Sequence, residues 1–554
     1  MKDMNKIKRG FGQHYIRRAG RGTALLALAA GMAMTTACSD WTDHYDGAGT
    51  GDSGETLWEQ ISSNSELSDF ASVLSATTVF RQHKKTTASY AELLQGGQAL
   101  TVFAPVNGTF NRDSLLDLVE SAQGDSAVEA YFVKNHLAEV LRSDAGTETT
   151  LRLLSGKRIT FGADQAAGVA VSHGNMRAKN GVMHVMSAPI PYVYNVYEGL
   201  QWQPELSSAG NRLASYTEDV FDEDASISSG MVDGIPVYVD SVVNERNRML
   251  EAVGLLDAED SVYYAVVPTT EGWQKVWAEA SAHFTYPADM EKGDSLRDYW
   301  ATRGIFDDAI FSMTQQKSPQ DSVQSSHYDI RKPEYHVFHH PFDADGIFGR
   351  AKHVETCSNG RIYVCDEWPF KPSQTYFRRI ELEAEQTWLM TNYSLCRVGT
   401  RQAVADSISE NAYADIVPSG GNSQWKVTYK LSNTLAGSYD FQVVVLPKTV
   451  YSSKGNMRPC KFKAILNYVD ADGTAKSYDC NGGKAFITNP NVVDTITVAK
   501  GFRLPACNYN QNNNKVSITL QCDISVRENA RYNREMYLDA IFLQPNDDTD
   551  MDND

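Results

Sequence analysis

Several side chains that could bind a metal ion lie close together near residue 340. His336, His339 and His340 are followed by Asp343 and Asp345, which places five potential ligands within ten residues. Imidazole nitrogens combined with carboxylate oxygens suit zinc and related transition metals. In a strand, however, His336 and His340 share one face while His339 points to the other. We expect a solvated strand with a polar turn here, and a metal site is the alternative.

The cysteines are a second chemically capable group. The seven that follow Cys38 show no Cys-x-x-Cys spacing, which argues against a zinc ribbon or a thioredoxin-like site. Six of them fall into groups of two that are close in sequence: Cys357 with Cys365, Cys460 with Cys480, and Cys507 with Cys522. The last two groups could each close a hairpin-sized loop, and Cys396 is left over. We expect structural disulfides, with free buried thiols as the alternative.

The sequence carries none of the common catalytic motifs. It has no Gly-x-Ser-x-Gly, no His-Glu-x-x-His, no Walker loop and no dinucleotide-binding fingerprint. Pairs of acids for glycoside hydrolysis can be picked from any acidic chain, so carboxylates alone do not indicate an enzyme. We therefore expect a protein that binds its partners without catalysing a reaction.

Composition limits the partners that the chain can have. Its 554 residues are 42% hydrophobic and include 69 acidic against 51 basic residues, a net charge of −18. This excess of acids argues against nucleic acid, because phosphate binding needs clustered cations, and against unassisted adhesion to anionic lipid. The length predicts several domains, and any membrane attachment has to come from a segment or an anchor.

The N-terminus provides such an anchor. A basic segment precedes the apolar run Ala24–Met34, and small residues then lead to Cys38. This order is typical of a secretory signal that is too short to span a bilayer. The cysteine directly after small residues resembles a bacterial lipobox, so residues 1–37 are predicted as the signal peptide and Cys38 as the lipidated N-terminus. A plain secretion signal with an incidental cysteine is the alternative.

Residues 38–54 form an acidic tether with Gly and Ser. The tether resembles the surface-export signal of one group of Gram-negative lipoproteins. This resemblance implies a protein held on the outside of the outer membrane by its lipid alone. A repeated Asp-Ser/Thr-aliphatic pattern resembles the O-glycosylation sequon of the same bacteria, and ordinary turn chemistry is the alternative. The pattern starts at Asp113, Asp125, Asp240, Asp260, Asp294, Asp321, Asp406 and Asp494.

Three motifs occur in order between residues 55 and 200. Thr101–Asn107 predicts a buried strand that ends in a Pro/Asn turn, a helix with His136 follows, and Asn180–Val185 predicts a tight turn into a closing strand. These motifs resemble the boxes of the fasciclin domain, and the resemblance covers residues 55–200. It implies an α+β fold and an adhesion or interaction module.

Most box residues are expected to have structural roles in turns. These are Pro105, Asn107, Asn180 and Gly181. His136 and His184 could suggest a catalytic or metal-binding pair. We expect them instead to be hydrogen-bonded histidines of the core or of a turn.

A diverged second copy is predicted over residues 211–372. A helical stripe between Val242 and Leu256 precedes a strand that ends at Pro268. Asn359 and Gly360 then repeat the closing turn of the first copy.

The second copy departs from the first in two ways. Its helix carries Trp300 where the first copy has His136. It is also longer, and we place the insertion in the polar stretch 314–332. The two copies are predicted to join near residues 200–212.

After residue 372 the pattern changes to short alternating strands separated by Asn, Gly and Ser turns. Residues 373–546 therefore predict an antiparallel β-sandwich, and residues 547–554 an acidic tail. The first and last strands, Ile380–Glu385 and Tyr537–Leu543, resemble those of a jelly-roll carbohydrate-binding module of the galactose-binding type. The expected fold is thus two α+β domains followed by an all-β sandwich.

The jelly-roll resemblance implies a structural calcium ion where the first and last strands meet. Its ligands map to Glu383, Glu385 and Asp539, and calcium favours such carboxylate oxygens. Surface carboxylates on a generic sandwich are the alternative. Three aromatic residues are available to stack on sugars: Trp388, Trp425 and Tyr451.

Together the resemblances imply a cell-surface lipoprotein whose fasciclin-like domains bind a surface protein or the extracellular matrix. The alternative is an accessory glycan-binding lipoprotein of an outer-membrane uptake system, which binds through its jelly roll. A concave sandwich face with exposed aromatic residues favours glycan binding. A flat polar face favours protein contact or a spacer.

Overall fold

The computed structural model describes nine segments of the chain. They are residues 54–81, 84–142, 148–232, 235–314, 316–329, 334–403, 408–450, 457–512 and 515–546. Cys38, with the predicted signal peptide and most of the tether, lies outside them. None of the helices within these segments combines the length and the apolarity that crossing a bilayer requires. The chain divides into two compact units, residues 1–192 and 193–554.

The first unit packs helices against one seven-stranded sheet of order β4-β3-β9-β8-β7-β6-β5. Its elements are α1 Leu57–Ser63, α2 Ser68–Ala76, β1 Thr78–Arg81, β2 Lys84–Ser89, α3 Tyr90–Gln95, β3 Leu100–Pro105, α4 Arg112–Val119, α5 Ala122–Val128, β4 Leu137–Ala138, β5 Thr149–Arg152, β6 Arg158–Phe161, β7 Gln165–Ala166, β8 Val169–Ala178 and β9 Gly181–Met186. The adjacent strands β3 and β9 run parallel and are buried throughout. Their continuous apolar runs fit strands that are covered on both faces.

The second unit begins with the same arrangement around a four-stranded sheet of order β13-β12-β17-β16. Its elements are α6 Val196–Trp202, α7 Ser207–Ala214, β10 Thr217–Val232, β11 Ile235–Asn247, α8 Arg248–Val253, β12 Tyr263–Pro268, α9 Thr270–His283, α10 Gly293–Phe306, β13 Ile310–Ser312, β14 Ser322–Asp329, β15 Glu334–His339, β16 His353–Cys357 and β17 Gly360–Cys365. Strands β12 and β17 run parallel, as β3 and β9 do. The hairpin β14–β15 starts within the stretch 314–332, where the insertion was expected.

The start of the second copy differs from its predicted position. The stripe from Val242 to Leu256 is not one helix: Val242 lies in β11, and only α8 is helical. Strand β11 is rich in β-branched residues, which favour a strand paired with β10. The first helix of the copy is α6, and the units divide after Tyr192, before the expected range 200–212.

The rest of the second unit is a sandwich of two antiparallel six-stranded sheets. One has the order β20-β21-β29-β23-β27 with β18 added on β29, and the other has β19-β22-β28-β24-β25 with β26 added on β24. The strands are β18 Ile380–Glu383, β19 Met390–Ser394, β20 Cys396–Gln402, β21 Ala412–Pro418, β22 Lys426–Lys430, β23 Gly437–Val445, β24 Lys461–Val469, β25 Ala475–Asp479, β26 Phe486–Ile487, β27 Asp494–Leu504, β28 Ser517–Cys522 and β29 Met536–Pro545. The predicted fold class, two α+β domains followed by a β-sandwich, is confirmed.

The second copy and the sandwich share one hydrophobic core. The core includes Phe306 and Ile362 from the copy, and Tyr439 and Leu538 from the sandwich. Backbone hydrogen bonds join the two parts: Cys507 N to Thr285 O (2.7 Å), Ala288 N to Ala471 O (2.9 Å) and Ala436 N to His283 O (2.9 Å). The sequence predicted separate domains, 211–372 and 373–546, whereas the structure joins these regions in one unit.

The prediction of structural disulfides was wrong. All seven cysteines within the described residues are buried and unbridged. Closeness in sequence does not bring the sulfur atoms together, because these side chains pack as small apolar groups between strands. Burial raises the pKa of Cys460 and of Cys507 to about 12, so both thiols stay protonated at neutral pH.

Candidate functional site

One buried asparagine ties the two ends of the first unit together. Asn180 Oδ1 accepts a hydrogen bond from Leu57 N (2.8 Å), and Asn180 Nδ2 donates to Leu94 O (2.8 Å) and Gly96 O (2.6 Å). A Cβ atom on Gly181 would lie 2.2 Å from Leu100 O, so only glycine fits the approach of β9 to β3. We call this pair of residues the Asn-Gly clamp.

The second copy repeats the clamp with different neighbours. Asn359 Oδ1 accepts from Val196 N (2.8 Å), and its Nδ2 donates to Leu256 O (2.8 Å) and Ala258 O (3.0 Å). A Cβ atom on Gly360, whose φ is +153°, would lie 1.8 Å from the carbonyl oxygen of Tyr263. The clamp thus fixes the first helix of each copy onto its central parallel strands.

The strand-end box also has structural contacts. Pro105 closes β3 opposite Met186, and Pro268 closes β12 opposite Cys365 in the same register. Asn107 Oδ1 accepts from Asp69 N (2.9 Å) and so satisfies a free N–H group in the first turn of α2.

His136 and His184 bind different backbone groups and form no pair. Burial lowers the pKa of His136 to about 4, so the ring is neutral. Its Nδ1 donates to Phe132 O (2.7 Å), and its Nε2 accepts from Ile190 N (3.0 Å). The Nε2 atom of His184 lies 2.9 Å from Arg142 O, and the His184 ring stacks on the ring of Phe103. Neither ring is available as a general base.

In the second copy a cavity lies beside Trp300, the residue that stands in the helix-histidine position. Its volume is about 440 Å³, and it opens where α10 meets the sandwich strands β18 and β29. The lining combines aromatic rings with charged groups, among them Trp300, Tyr376 and Tyr509 with Arg303, Arg379 and Glu381. The indole Nε1 of Trp300 is buried and has no hydrogen-bond partner among the described residues. Concave sites with aromatic walls and a few polar groups are typical ligand pockets.

The histidine-rich segment does not assemble as its spacing suggested. His336 is buried, with Nδ1 2.8 Å from Asp308 Oδ1, whereas His339 and His340 are exposed. His340 has a φ of +49° just beyond the end of β15, so the strand alternation that linked it to His336 does not extend to it. The ring of His327 stacks on that of His336, with centroids 4.0 Å apart. The sequence analysis missed Asp308 and His327, because the partners of a buried histidine come from other elements.

Two of the three carboxylates predicted to bind calcium meet at one loop residue. Ser409 contacts both of them: its Oγ donates to Glu383 Oε1 (2.7 Å), and its N donates to Asp539 Oδ2 (3.4 Å). Asp539 is the extra residue of a β-bulge, since Val444 pairs with Ala540 and Val445 with Leu538. A bulge redirects a side chain, and here it turns the carboxylate of Asp539 towards Glu383. Ser409 was not singled out by the sequence, because it lies in a loop far from both strands.

These carboxylates lack a counter-charge among the described residues. Glu383 is 9% exposed and Asp539 is 2% exposed. Burial, reinforced by the neighbouring acids, raises the pKa of Glu383 to about 7 and that of Asp539 to about 6. One oxygen of each, and Oε2 of Glu385, is buried without a hydrogen-bond partner in the described chain. Carboxylate oxygens are the ligands that Ca²⁺ prefers.

The three aromatic residues considered for sugar stacking differ in their exposure to solvent. Trp388 is 70% exposed. Trp425 is fully buried and donates its Nε1–H to Arg534 O (2.6 Å), so it cannot stack on a sugar. Trp425 directly precedes β22, and its side chain packs into the core of the sandwich. Tyr451 lies outside the described residues.

The sequence and the structure were compared with those of known proteins. No curated protein matches the sequence. A FAS1 domain pair from the insect cell adhesion molecule fasciclin I is 13% identical, covers 50% of this chain and 90% of its own, and has a TM-score of 0.19. The CBM22-1 xylan-binding domain from Paenibacillus barcinonensis Xyn10C is 10% identical, covers 30% and 92%, and has a TM-score of 0.20. Another xylan-binding domain from CBM 22 is 13% identical, covers 29% and 92%, and scores 0.19.

The match to a protein family concerns the first unit. Residues 68–191 match the fasciclin domain, and they span α2 to β9 with the strand-end box, His136 and the Asn-Gly clamp. Residues 68–191 of this chain are therefore a fasciclin domain.

Proposed function

We propose that this protein is a non-catalytic, cell-surface lipoprotein that binds a protein partner through its fasciclin-type units. The family match supports an interaction module. The box histidines and asparagines bind backbone groups and hold the fold together. The residues that bind a partner are therefore expected on the surface.

One surface element carries the proposal. The second copy extends its hairpin β10–β11 (Thr217–Val232 and Ile235–Asn247), which we call the arm, whereas the first copy has the short β1–β2 hairpin in the same place in the chain order. The arm exposes large apolar side chains at Phe221, Ile227, Met231 and Val243. Ile227 is 60% exposed and Met231 is 70% exposed. Exposed apolar groups concentrated on one element mark an interaction surface.

Charge defines the partner further. Between Thr217 and Asn247 the sequence has eight acidic residues and one basic residue, Arg246. The single cation is already paired, because Arg246 Nε lies 2.5 Å from Glu251 Oε1. An acidic surface with apolar side chains complements a protein surface that is basic around an apolar centre. We infer a partner of this kind.

One broad face of the sandwich is polar, which favours protein contact or a spacer role over glycan binding. On the sheet β19-β22-β28-β24-β25 the outward positions are linked by polar side chains across the strands. Thr428 and Thr519 hydroxyls lie 2.9 Å apart, and Asn467 Nδ2 donates to Ser517 Oγ (3.2 Å). Neighbouring outward positions are Lys426, Lys463 and Gln521. This face is polar and carries no row of exposed aromatic rings among its described residues.

Glycan binding is the second candidate, and a specific observation favours it. Trp388 precedes the edge strand β19, and Tyr393 on that strand is also exposed. Two exposed rings near one sheet edge suit stacking on sugar rings. The cavity beside Trp300 supplies a second place where a polar ligand could bind.

A single set of binding measurements separates the two candidates. The full chain is immobilised and tested against matrix proteins and against a glycan array. The variants are Phe221→Ser/Ile227→Ser/Met231→Ser in the arm and Trp388→Ala/Tyr393→Ala on the sandwich edge, with exposed Trp202→Ala as the aromatic control. We expect the arm variant to lose at least tenfold in affinity for a basic matrix protein, while the other two retain it. Glycan binding that is lost only in the Trp388/Tyr393 variant would establish the second candidate instead.

The anchor is a separate proposal. We infer that Cys38 carries lipid and holds the protein on the outer membrane of a Gram-negative cell, with the body exposed at the surface. The support is the sequence order of basic segment, apolar run, small residues and cysteine. Cys38→Ala should shift the protein from the membrane fraction to the soluble fraction, and protease added to whole cells should degrade the wild-type protein. Unchanged partition of the variant contradicts the assignment.

A further inference from the structure

We propose that Asp308, His327 and His336 bind a divalent transition metal of the zinc class, with one coordination position open to the cavity beside Trp300. This site differs from the calcium site and from the cluster that the sequence suggested. It is also independent of the arm and of the proposed adhesive function.

The three side chains come from three elements that hold them rigidly. Asp308 follows the last turn of α10, His327 lies on β14 and His336 lies on β15. Asp308 is 1% exposed and His336 is 6% exposed. Ser325 Oγ donates to Asp308 Oδ1 (2.7 Å) and so helps to orient the carboxylate.

The donor atoms converge on one point. His336 Nδ1 lies 2.8 Å and 2.9 Å from the two oxygens of Asp308, and His327 Nδ1 lies 3.7 Å from Asp308 Oδ2. One ligand atom from each of the three residues lies within 4.8 Å of the other two. In a tetrahedral site with bonds of about 2.1 Å, ligand atoms are separated by about 3.4 Å. The two distances to Asp308, 2.8 and 3.7 Å, bracket this value, and all three ligand atoms lie within 4.8 Å of one another.

The two imidazoles face the same carboxylate, but a metal ion lies in the plane of each imidazole that binds it, so one of these stacked rings has to turn when the ion enters. The imidazoles are stacked with an angle of 14° between their planes, and both present Nδ1 to the same carboxylate. Two imidazoles with one carboxylate select zinc-class metals over calcium or magnesium.

The fourth position faces the cavity. His327 and His336 line the cavity together with Asp307, whose Oδ2 is 3.8 Å from His327 Nδ1. Asp307 is held by Arg303, with Nε and a terminal nitrogen at 3.2 and 3.1 Å from Oδ1. Three protein ligands with one open position distinguish reactive or ligand-binding zinc from closed structural sites.

The test is a metal titration of the full chain after removal of bound metal with a chelator. Zn²⁺ is titrated in competition with a chromogenic chelator, and Co²⁺ serves as a spectroscopic probe of tetrahedral nitrogen and oxygen ligands. The variants are His327→Ala and the isosteric Asp308→Asn. The matched control is His339→Ala, an exposed histidine on the same hairpin.

We expect one saturable Zn²⁺ site in the wild type and in His339→Ala, with affinity at least a hundredfold weaker in His327→Ala and Asp308→Asn. Zn²⁺ should raise the melting temperature of the first two proteins and not of the last two. The proposal is overturned if the four proteins bind Zn²⁺ alike, or if His339→Ala loses as much affinity as His327→Ala. Asp308→Asn keeps the size of the side chain, so weak binding there together with an intact far-UV spectrum excludes misfolding as the cause.

Discussion

The first unit and the second copy share a clamp but differ in how their cores are closed. In the first unit, residues 54–192 enclose their own clusters around Phe70 and Phe103. In the second copy, the core continues into the sandwich. The helix position illustrates the difference, because His136 binds backbone inside the first unit while Trp300 packs on the ring of Tyr509 in the sandwich, with centroids 5.0 Å apart.

This comparison shows that two units with the same arrangement of central strands differ in whether their cores are closed. The isolated core of the first unit makes it a self-contained module. The second copy lacks that independence, and it has a cavity and the cluster of Asp308, His327 and His336 near its junction with the sandwich. It also carries the arm, which the first unit lacks.

The largest effect is expected from breaking the clamp. Asn180→Ala and Asn359→Ala each remove the acceptor of one buried N–H group and a donor to two carbonyl groups, so each should lower the free energy of unfolding by about 3–5 kcal/mol. Asn180→Ala should destabilise residues 57–186 only, whereas Asn359→Ala should destabilise the sandwich as well. Pulse-labelled hydrogen exchange along a urea gradient measures both regions separately, with exposed Asn392→Ala as the control. A sandwich that is unaffected by Asn359→Ala contradicts the shared core.

The buried, neutral ring of His136 should make the first unit sensitive to acid. The pKa of His136 is about 4 in the folded chain and near 6.5 when unfolded, so the unfolded chain takes up the proton first. Stability should therefore be constant above pH 6.5 and fall between pH 6.5 and 4, by about 3 kcal/mol in total. Urea unfolding of the first unit at pH 7 and pH 4.5 measures this. His136→Gln should remove the dependence, and exposed His173→Gln should keep it; a dependence that survives in His136→Gln places its origin elsewhere.

Calcium should act on the second unit alone. At a hundredfold excess over Kd, binding to the folded state adds about 2.7 kcal/mol. The melting of residues 193–546 should shift upwards with Ca²⁺ and return with chelator, while that of residues 57–186 stays constant. Glu383→Gln and Asp539→Asn should abolish the shift, and the exposed Glu367→Gln should preserve it. An equal response of all four proteins to Ca²⁺ would rule out the assigned ligands.

The smallest effect is expected from the arm. Because Phe221, Ile227 and Met231 are exposed, their triple substitution by Ser should change the free energy of unfolding by less than about 0.5 kcal/mol. Urea unfolding of the full chain checks this value. Strong destabilisation would mean that the arm belongs to the core of the second copy and is not an added binding element.

Local pattern and chain order could be predicted from the sequence. The strand ends at Pro105 and Pro268 and the turns at Asn180 and Asn359 follow from residues within a few positions of each other, and the alternation of strands after residue 372 predicts the sandwich. The same reasoning failed in part between Val242 and Leu256, where Val242 belongs to a β-branched strand and only the short helix α8 carries the predicted apolar spacing.

Contacts between side chains that are distant in sequence were determined only by the tertiary structure. Alternation assigns a side chain to a face, but it does not say which distant residue lies opposite. Asp539 reaches Glu383 through a bulge and a loop serine, and His336 meets Asp308 across two elements. The cysteines stay apart for the same reason, since packing between strands separates side chains that are close in sequence. The sequence by itself determined the elements and their order, whereas the packing of one core across the second copy and the sandwich created the cavity and the sites beside it.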